Sequence, residues 1–521
     1  MSLTLLALLF SLPLRADGAM DGHACLDRAD LVCAQEVRDR LLRTSPGDAA
    51  TLHLDLRTRF HEGRYDEAAE LLGRLKAQGQ VPQSLAQTPI EASALAAEGF
   101  LEARGEGVRV RYAQGVDLVL RDEAIEVLEQ SRQVIDGLLG GGPTHEITLD
   151  IFPDGRRFIQ ASGLPEEAVR TTGVIALSKW TRLLLTSPRA LGRGYGWKDT
   201  IAHEYIHLVI AWRTQERSPV WLHEGLAKHL EGYWRGDRSG GMSVYQQGLL
   251  AEALRTNSFV PFEKFRYSMA YLDSGEEAAL AFAQVGTMVQ FLVESKGIGV
   301  LPGLLDAIRE GQTADQAFAE VAGFADFDLF RAAWLDWVRR LPLVERSLAA
   351  LPVVLDDPGE AYADDPVVSK DPKAAKYLRL GDLLREAKRC DAALIQYDRA
   401  REPKGPESPL LLARIAVCNL DLRQLSAARE AADEAVELYP EFTLAQTTLA
   451  RVRAAQGDTR GALSAWTAAH DLNPFDPEVQ AALTRGHAEL GQDDLAARHE
   501  RYGRILATGG VLSSSSVPPE P

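Results

Sequence analysis

A stretch near the middle of the chain has the apolar periodicity of an amphipathic helix. Across residues 198–213, Ile201 and Leu208 lie seven positions apart, which is two helical turns, and belong to one apolar stripe. His203 and His207 lie four positions apart on a second stripe. The pattern predicts a helix that packs one face into the protein and presents both imidazoles on another.

A second amphipathic helix follows beyond a turn at Pro219. Leu222 and Leu226 begin its apolar stripe, whereas Glu224 and Glu231 lie on a different face. Two helices that are this close in sequence can pack side by side. A carboxylate of the second helix can then reach the imidazoles of the first.

Other periodic segments surround these two helices. Alternating apolar and polar residues predict strands at 108–112, 146–152, 173–177 and 182–186. A helix over 121–139 ends at a run of glycines. Helices are expected near 244–256, 277–296, 300–310, 313–322 and 326–340, and they read as an α-helical lobe that closes a cleft.

The C-terminal part repeats with a period of 34 residues, as Gly457 recurs as Gly491. This is the period of tetratricopeptide repeats, so residues 373–507 predict an all-α solenoid. The expected units are 373–405, 409–441, 443–475 and 477–507. Such a stack offers a concave surface to a peptide or protein, or serves only as a scaffold. Residues 60–72 look like the turn and second helix of one more unit, within a helical segment at 25–82 that should pack on the next domain.

The remaining segments read as processing and connecting elements. Residues 3–14 are apolar, about as long as a signal-peptide core and too short to span a membrane, so residues 1–18 are expected to be a signal peptide. No Lys or Arg precedes the run, so an ordinary buried helix is the alternative. Residues 346–372 read as a linker and residues 508–521 as a disordered tail. The mature chain is expected outside the cytoplasm, periplasmic or secreted, without a transmembrane segment.

Charge and cysteine content narrow the picture further. The 521 residues carry a net charge of −17, which argues against general nucleic-acid binding. Four cysteines allow three pairings, and after export Cys25–Cys33 and Cys390–Cys418 are chemically reasonable. Buried free thiols are the alternative for the second pair.

The chemistry centres on His203-Glu204-Tyr205-Ile206-His207, which has the H-E-x-x-H pattern of zinc hydrolases. In that pattern the two histidines bind the metal and the glutamate acts as general base. A catalytic zinc usually takes three protein ligands and a water molecule. Glu224 on the following helix can complete a site of two histidines and one glutamate for a single Zn²⁺ ion.

The residues Trp221 to Ala227 resemble the third-ligand motif of the gluzincin metallopeptidases, the group of thermolysin and the zinc aminopeptidases. More narrowly, the chain is similar to bacterial peptidase MA-like proteins, which are often fused to tetratricopeptide repeats. The resemblance spans roughly residues 105–340. It implies an α+β metallopeptidase domain at 105–345, a small mixed sheet with a helical lobe, ahead of the repeats.

The resemblance also assigns roles residue by residue. It implies that His203, His207 and Glu224 bind zinc and that Glu204 is the base. Glu231 matches an acid that holds a ligand histidine in the correct tautomer in some of these families. A plain surface carboxylate is the alternative for Glu231.

Two further expectations come from the same resemblance. An edge strand commonly receives the extended substrate, and residues 182–187 are the candidate, with an interior strand as the alternative. Relatives often carry a tyrosine that stabilises the oxyanion where this chain has Phe282. Tyr271 is the preferred substitute, ahead of Tyr245 and Tyr267, and a packing aromatic is the alternative for each of them.

These observations predict a zinc-dependent peptidase that acts on a peptide or protein, with the repeats binding a protein partner. Because no Gly-x-Met-Glu-Asn segment precedes His203, an endopeptidase is favoured over an aminopeptidase. Two alternatives remain. One is a zinc-binding pseudoprotease that acts as an interaction scaffold, and the other is an adaptor in which the repeats carry the function and zinc is structural.

Overall fold

A computed structural model describes residues 17–81, 85, 88–167, 169, 173–240, 242–269, 272–344, 348, 355, 371–401 and 408–510. The predicted signal-peptide core, most of the predicted linker and most of the tail lie outside these residues. Tyr271 also lies outside them.

The described part begins with five helices. They are α1 (Asp17–Leu26), α2 (Leu31–Thr44), α3 (Ala49–His61), α4 (Tyr65–Ala77) and α5 (Ile90–Ala96). A disulfide joins Cys25 to Cys33, which agrees with the first of the two pairings suggested from the sequence. Cys390 and Cys418 are instead buried free thiols, so the second suggested disulfide is not formed.

A five-stranded mixed sheet follows the helices. Its strands are β1 (Phe100–Gly105), β2 (Val108–Ala113), β3 (Ile147–Phe152), β4 (Ala176–Lys179) and β5 (Arg182–Thr186). The spatial order is β1-β2-β3-β5-β4. The β2–β3 and β3–β5 pairs are parallel, whereas the two outer pairs are antiparallel hairpins.

The expectation that residues 182–187 form the edge strand is wrong. The strand β5 lies between β3 and β4, and all five of its residues are buried. The edge is β4, three residues later than the strand expected at 173–177. The strand β1, which the sequence analysis did not anticipate, forms the opposite edge.

Helices cover the sheet and build the lobe after it. They are α6 (Arg121–Leu139), α7 (Gly155–Ser162), α8 (Trp197–Thr214), α9 (Val220–Leu230), α10 (Val244–Thr256), α11 (Phe262–Phe265), α12 (Gly275–Lys296), α13 (Leu301–Arg309), α14 (Ala314–Ala322) and α15 (Phe327–Val338). The helix α8 packs against α6, β4 and β5, and α9 packs between α8 and α12.

One described helix, α12, is long and apolar enough to span a membrane by length and composition. In this fold, 56% of its apolar window is buried. It packs against α9, α10 and α15 as a core helix of the lobe.

The C-terminal helices form four antiparallel pairs, in agreement with the 34-residue period. They are α16 (Pro372–Glu386), α17 (Cys390–Ala400), α18 (Pro409–Asp421), α19 (Leu425–Leu438), α20 (Thr443–Ala455), α21 (Thr459–Leu472), α22 (Pro477–Glu489) and α23 (Asp493–Ala507). Each pair packs on the next, which is the arrangement expected of stacked helical repeats.

The N-terminal helices dock on the sheet. A single helical repeat unit cannot bury its own apolar face, so it has to pack on a neighbouring domain. The buried guanidinium of Arg182 in β5 lies 4.3 Å from the ring centroid of Phe60 and 4.5 Å from that of Tyr65. The hydroxyl of Tyr65 donates a hydrogen bond to Asp150 in β3. Arg111 in β2 donates to the carbonyl of Gly63 at 2.7 Å.

The repeats dock on the loop that leads into α8. The backbone N–H of Tyr195 donates to the carbonyl of Leu472 at 2.9 Å, and the hydroxyl of Thr443 donates to the carbonyl of Arg193. Gly194 has a φ of +69°, and a Cβ there would collide with the Leu472 carbonyl. Only glycine therefore suits both the backbone conformation and the close approach.

A buried ionic network strengthens this contact. The ammonium of Lys198, near the start of α8, lies 2.6 Å from Glu123 and 2.7 Å from Asp471. His470 lies 2.8 Å from the same glutamate. Burial by itself would raise the pKa of Glu123, but His470 and Lys198 hold it well below its usual range. The network joins α6, α8 and α21.

Substitution of Lys198 by methionine should destabilise the protein strongly. The change leaves the buried Glu123 without its ammonium partner, and loss of one member of a buried ion pair costs about 3 kcal/mol or more. Glu123 stabilises the fold above the carboxyl pKa of the unfolded chain, so the deficit should shrink as the pH falls below about 4. Urea unfolding at several pH values measures both effects.

Arg498→Met is the matched control, since Arg498 pairs with Glu126 of α6 across the same interface at 2.6 Å. The side chains of that pair are 29% and 45% exposed, and such pairs contribute about 1 kcal/mol or less. Equal losses for the two variants would contradict the role given to the buried network.

Candidate metal centre

The helix α8 places its two histidines on the wall of a cavity. Ile201 and Tyr205 are fully buried on the opposite side of the helix. The hydroxyl of Tyr205 donates to Asp136 of α6 at 2.7 Å. The helix begins at Trp197, six residues before the first of the two histidines.

The helix α9 brings the third group to the same place. Trp221 and Leu222 are fully buried in the lobe, which fixes the rotation of the helix. A Cβ on Gly225 would lie only 2.9 Å from the carbonyl oxygen of Val285 in α12. The absence of a side chain at Gly225 therefore lets α9 approach α12 closely, with Glu224 turned towards α8.

Three ligand atoms converge between the two helices. Oε2 of Glu224 lies 3.4 Å from Nε2 of His203 and 3.5 Å from Nε2 of His207. The two imidazole rings are nearly perpendicular, with centroids 4.8 Å apart. The sequence prediction that these residues lie together agrees with this geometry.

The arrangement fits a small divalent cation. Two ligand atoms that each lie about 2.1 Å from a tetrahedral zinc ion are separated by about 3.4 Å. The observed separations of 3.4 and 3.5 Å match this value. Two imidazoles and one carboxylate also form a donor set found in catalytic zinc sites, which keep a fourth position for water or substrate.

Glu231 fixes the orientation of one imidazole. One of its carboxylate oxygens lies 2.9 Å from Nδ1 of His203, and the other lies 2.6 Å from Nζ of Lys228. Its side chain is only 15% exposed, so it is not a plain surface carboxylate. The contact at Nδ1 leaves Nε2 of His203 directed at Glu224.

Electrostatics at the site favour a bound positive charge. Burial disfavours the charged form of His203, but hydrogen bonds to Glu224 and Glu231 outweigh it and raise the pKa of His203 to about 10. Burial likewise acts to raise the pKa of Glu224, yet His207 and His203 hold it well below its usual range. A cation bound by these ligands takes the place of the proton.

Glu204 lies beside the ligands but is held differently. Its side chain is buried, and burial raises the pKa of its carboxyl group. The backbone N–H of Ser178 in β4 faces this carboxylate and acts against the rise in its pKa. The edge strand and the metal helix are therefore in direct contact at this glutamate.

The cavity in front of these residues has a volume of about 1610 Å³. Several other parts of the chain line it besides α8 and α9. They include the loop before α8 through Arg193 and Tyr195, and the helical lobe through Met269, Ala278 and Phe282. They also include the N-terminal helical region through Asp27, Arg57 and His61, the edge strand with its flanks at residues 173–181, and the repeats through Pro440, Glu441, Gln446, Ala468, Asp471 and Leu472. The repeats are thus a wall of the cleft, which the sequence analysis did not anticipate.

The cleft runs along β4 between two boundaries. Thr181, just beyond one end of β4, contacts His61 of α3. Near the other end, the hydroxyl of Tyr195 donates to the carbonyl of Thr186, and Tyr195 also bonds the repeats. Glu204 meets the strand between these ends. The cavity therefore extends to both sides of the metal centre.

Of the tyrosines considered for oxyanion stabilisation, Tyr245 and Tyr267 are described, and neither lines the cavity. Tyr245 packs against the core of the first repeats, and Tyr267 is 69% exposed beside Arg266. Phe282 does line the cavity, without a donor. Tyr271 lies outside the described residues and stays a prediction.

His223, a residue for which the sequence predicted no role, also lines the cavity. Its ring centroid lies 5.5 Å from that of His207. Burial and the neighbouring His207 lower its pKa to about 3. Its position directly before the ligand Glu224 is the sequence feature that could have marked it as a residue of the site.

A second group of potential ligands, formed by Glu123, His470 and Asp471, does not fit a metal ion equally well. The ammonium of Lys198 lies within 2.7 Å of both carboxylates. The cluster already contains its cation. Its evident role is to connect the repeats to α8.

Residues 141–340 match the family model described as the Peptidase MA superfamily. This region contains α8, α9 and the lobe. No curated protein matches the chain.

Two solved structures show limited similarity. A thermophilic TPR protein of Thermus thermophilus, TTC0263, is 25% identical, covers 26% of this chain and 75% of its own, and has a TM-score of 0.24. A crystal structure of MamA is 17% identical, covers 30% of this chain and 88% of its own, and has a TM-score of 0.23.

Proposed function

We propose that this protein is a zinc-dependent endopeptidase with Glu204 as its general base. The observation that carries the proposal is the convergence of His203, His207 and Glu224 beside Glu204 on the wall of a long cleft. The match of residues 141–340 to the Peptidase MA superfamily supports a peptidase.

In the proposed mechanism, His203, His207 and Glu224 would hold a zinc ion, which would supply a Lewis acid that lowers the pKa of a water molecule and polarises the scissile carbonyl. Glu204 removes a proton from the attacking water and later delivers it to the leaving amine. Its buried position suits this exchange, because burial raises the pKa of the carboxyl group. Glu231 keeps His203 in the orientation that a ligand needs.

The substrate is proposed to bind as an extra strand beside β4. The N–H of Thr186 donates to the carbonyl of Ile175 at 2.8 Å, so these two residues form a hydrogen-bonded pair of the antiparallel ladder. Because such pairs alternate, the backbone groups of Ala176 and Ser178 point away from β5. The Ser178 N–H contacts Glu204, which leaves both groups of Ala176 and the Ser178 carbonyl for a peptide.

An endopeptidase fits the cleft better than an enzyme that removes terminal residues. The cavity continues from the metal centre towards the N-terminal helices in one direction and the repeats in the other. A peptide can therefore occupy it on both sides of the scissile bond. We propose that the repeats contact the substrate, or a partner that presents it, at the far end.

We also propose an extracytoplasmic location, periplasmic or secreted. The Cys25–Cys33 disulfide supports it, because disulfides persist mainly in oxidising compartments. The signal peptide proposed for residues 1–18 would provide the export route.

The substitution Glu204→Gln tests the proposed reaction directly. The variant should retain zinc and lose about 10²-fold or more of the turnover of a mixed library of quenched fluorescent peptides, because glutamine cannot accept the proton. Zinc content and cleavage rate are measured on the same preparation.

The matched control is Glu216→Gln, the same change at another glutamate that lines the cavity. Its turnover should stay close to wild type. If Glu204→Gln cleaves as fast as wild type, Glu204 is not the base. If the wild type carries zinc but cleaves nothing, the inactive scaffold is the better description.

Substitution of Ala176 by proline tests strand addition. It removes an N–H that points away from β5, and edge strands tolerate proline at such positions. Loss of one backbone hydrogen bond to the substrate should lower kcat/KM about tenfold, with zinc content unchanged.

Leu177→Pro is the matched control one residue later. Its N–H points towards β5, so this variant should lose thermal stability rather than substrate affinity. Unchanged kcat/KM in a folded Ala176→Pro variant would show that peptides do not pair with β4.

A further inference from the structure

The cavity contains a third imidazole close to the ligand histidines. His223 belongs to α9 and directly precedes Glu224 in the chain. Its ring is inclined at 36° to that of His207, with the centroids 5.5 Å apart. Across the described residues, its two ring nitrogens make no hydrogen bond.

Three other donors on the same walls are already engaged. The ammonium of Lys228 lies 2.6 Å from Glu231, and Arg235 contacts Asp199 at 2.9 Å. The hydroxyl of Tyr195 donates to a backbone carbonyl. The single O–H of Tyr195 can turn to a substrate only by giving up its present partner.

We propose that His223 donates a hydrogen bond to the oxygen of the scissile carbonyl as negative charge develops on it. The inference rests on the proposed peptidase function and deepens it. A neutral imidazole has one N–H donor. The ring centroid of His223 lies 5.5 Å from that of the ligand His207 on the wall of the same cavity, which places the donor beside the metal centre. Phe282 has no donor to serve instead.

The step conserves atoms and electrons. The water oxygen forms a bond to the carbonyl carbon, the π pair of the C=O bond moves to oxygen, and Glu204 takes the released proton. When the tetrahedral intermediate collapses, the C=O bond is restored and the C–N bond breaks. The amine leaves with the proton from Glu204. His223 keeps its proton throughout, and its hydrogen bond strengthens as the oxygen becomes charged.

The test compares His223→Leu with His223→Asn. The two side chains are similar in size, but only asparagine retains an N–H donor. The leucine variant should lose about 10²-fold or more in kcat with little change in KM, because the contact forms in the transition state. The asparagine variant should recover part of this loss. Both should retain zinc.

A binding measurement provides a readout that does not depend on turnover. Calorimetry is performed with a phosphinic peptide, whose tetrahedral anionic oxygens resemble the charged oxygen, and with a thiol peptide that binds metal through sulfur. The leucine variant should lose about 10²-fold in affinity for the phosphinic peptide only. If it loses zinc, His223→Ala takes its place in both measurements.

The inference is overturned if the donor-free variant matches wild type in kcat and in phosphinic-peptide affinity. In that case the peptidase function stands and another group stabilises the oxyanion. Failure of the peptidase proposal looks different, because wild-type protein itself would then cleave no peptide.

Discussion

The close packing of α9 between α8 and α12 is the constraint on which the site depends. Two imidazoles four residues apart on α8 provide only two ligands, and the third must come from a neighbouring helix. Gly225 permits the approach to α12, and the buried Trp221 fixes the rotation of α9. With that packing, Glu224 lies 3.4 Å from one ligand nitrogen and 3.5 Å from the other.

The flanking helical regions are part of the cleft rather than appendages. The N-terminal helices border one end of β4, and the repeats border the other. The repeats also hold the loop before α8 through Tyr195, and the start of α8 through Lys198. Removal of the repeats would therefore disturb the metal helix as well as any partner surface. Point substitutions in the repeats therefore distinguish a protein-binding surface from a plain scaffold better than truncation does.

The sequence was informative where the chemistry is local. The spacing of His203 and His207 and the periodicity around Glu224 depend on helical geometry within a few turns, and the structure agrees. Strand order depends on pairing between distant segments, so the apolar β5 could not be distinguished from an edge. The contact of His470 with Glu123 joins residues 347 positions apart, and no short pattern encodes it. His223 was overlooked because its neighbour Glu224 carried the motif.

Metal analysis of the purified protein tests the central claim most directly, namely that α8 and α9 together hold one divalent ion. The wild type should contain about one zinc per chain, and both His203→Ala and Glu224→Ala should lose it, because a site with three protein ligands fails when one is removed. Both variants should remain folded by circular dichroism. Wild-type protein without zinc after zinc supplementation, or zinc retained by both folded variants, would contradict the account.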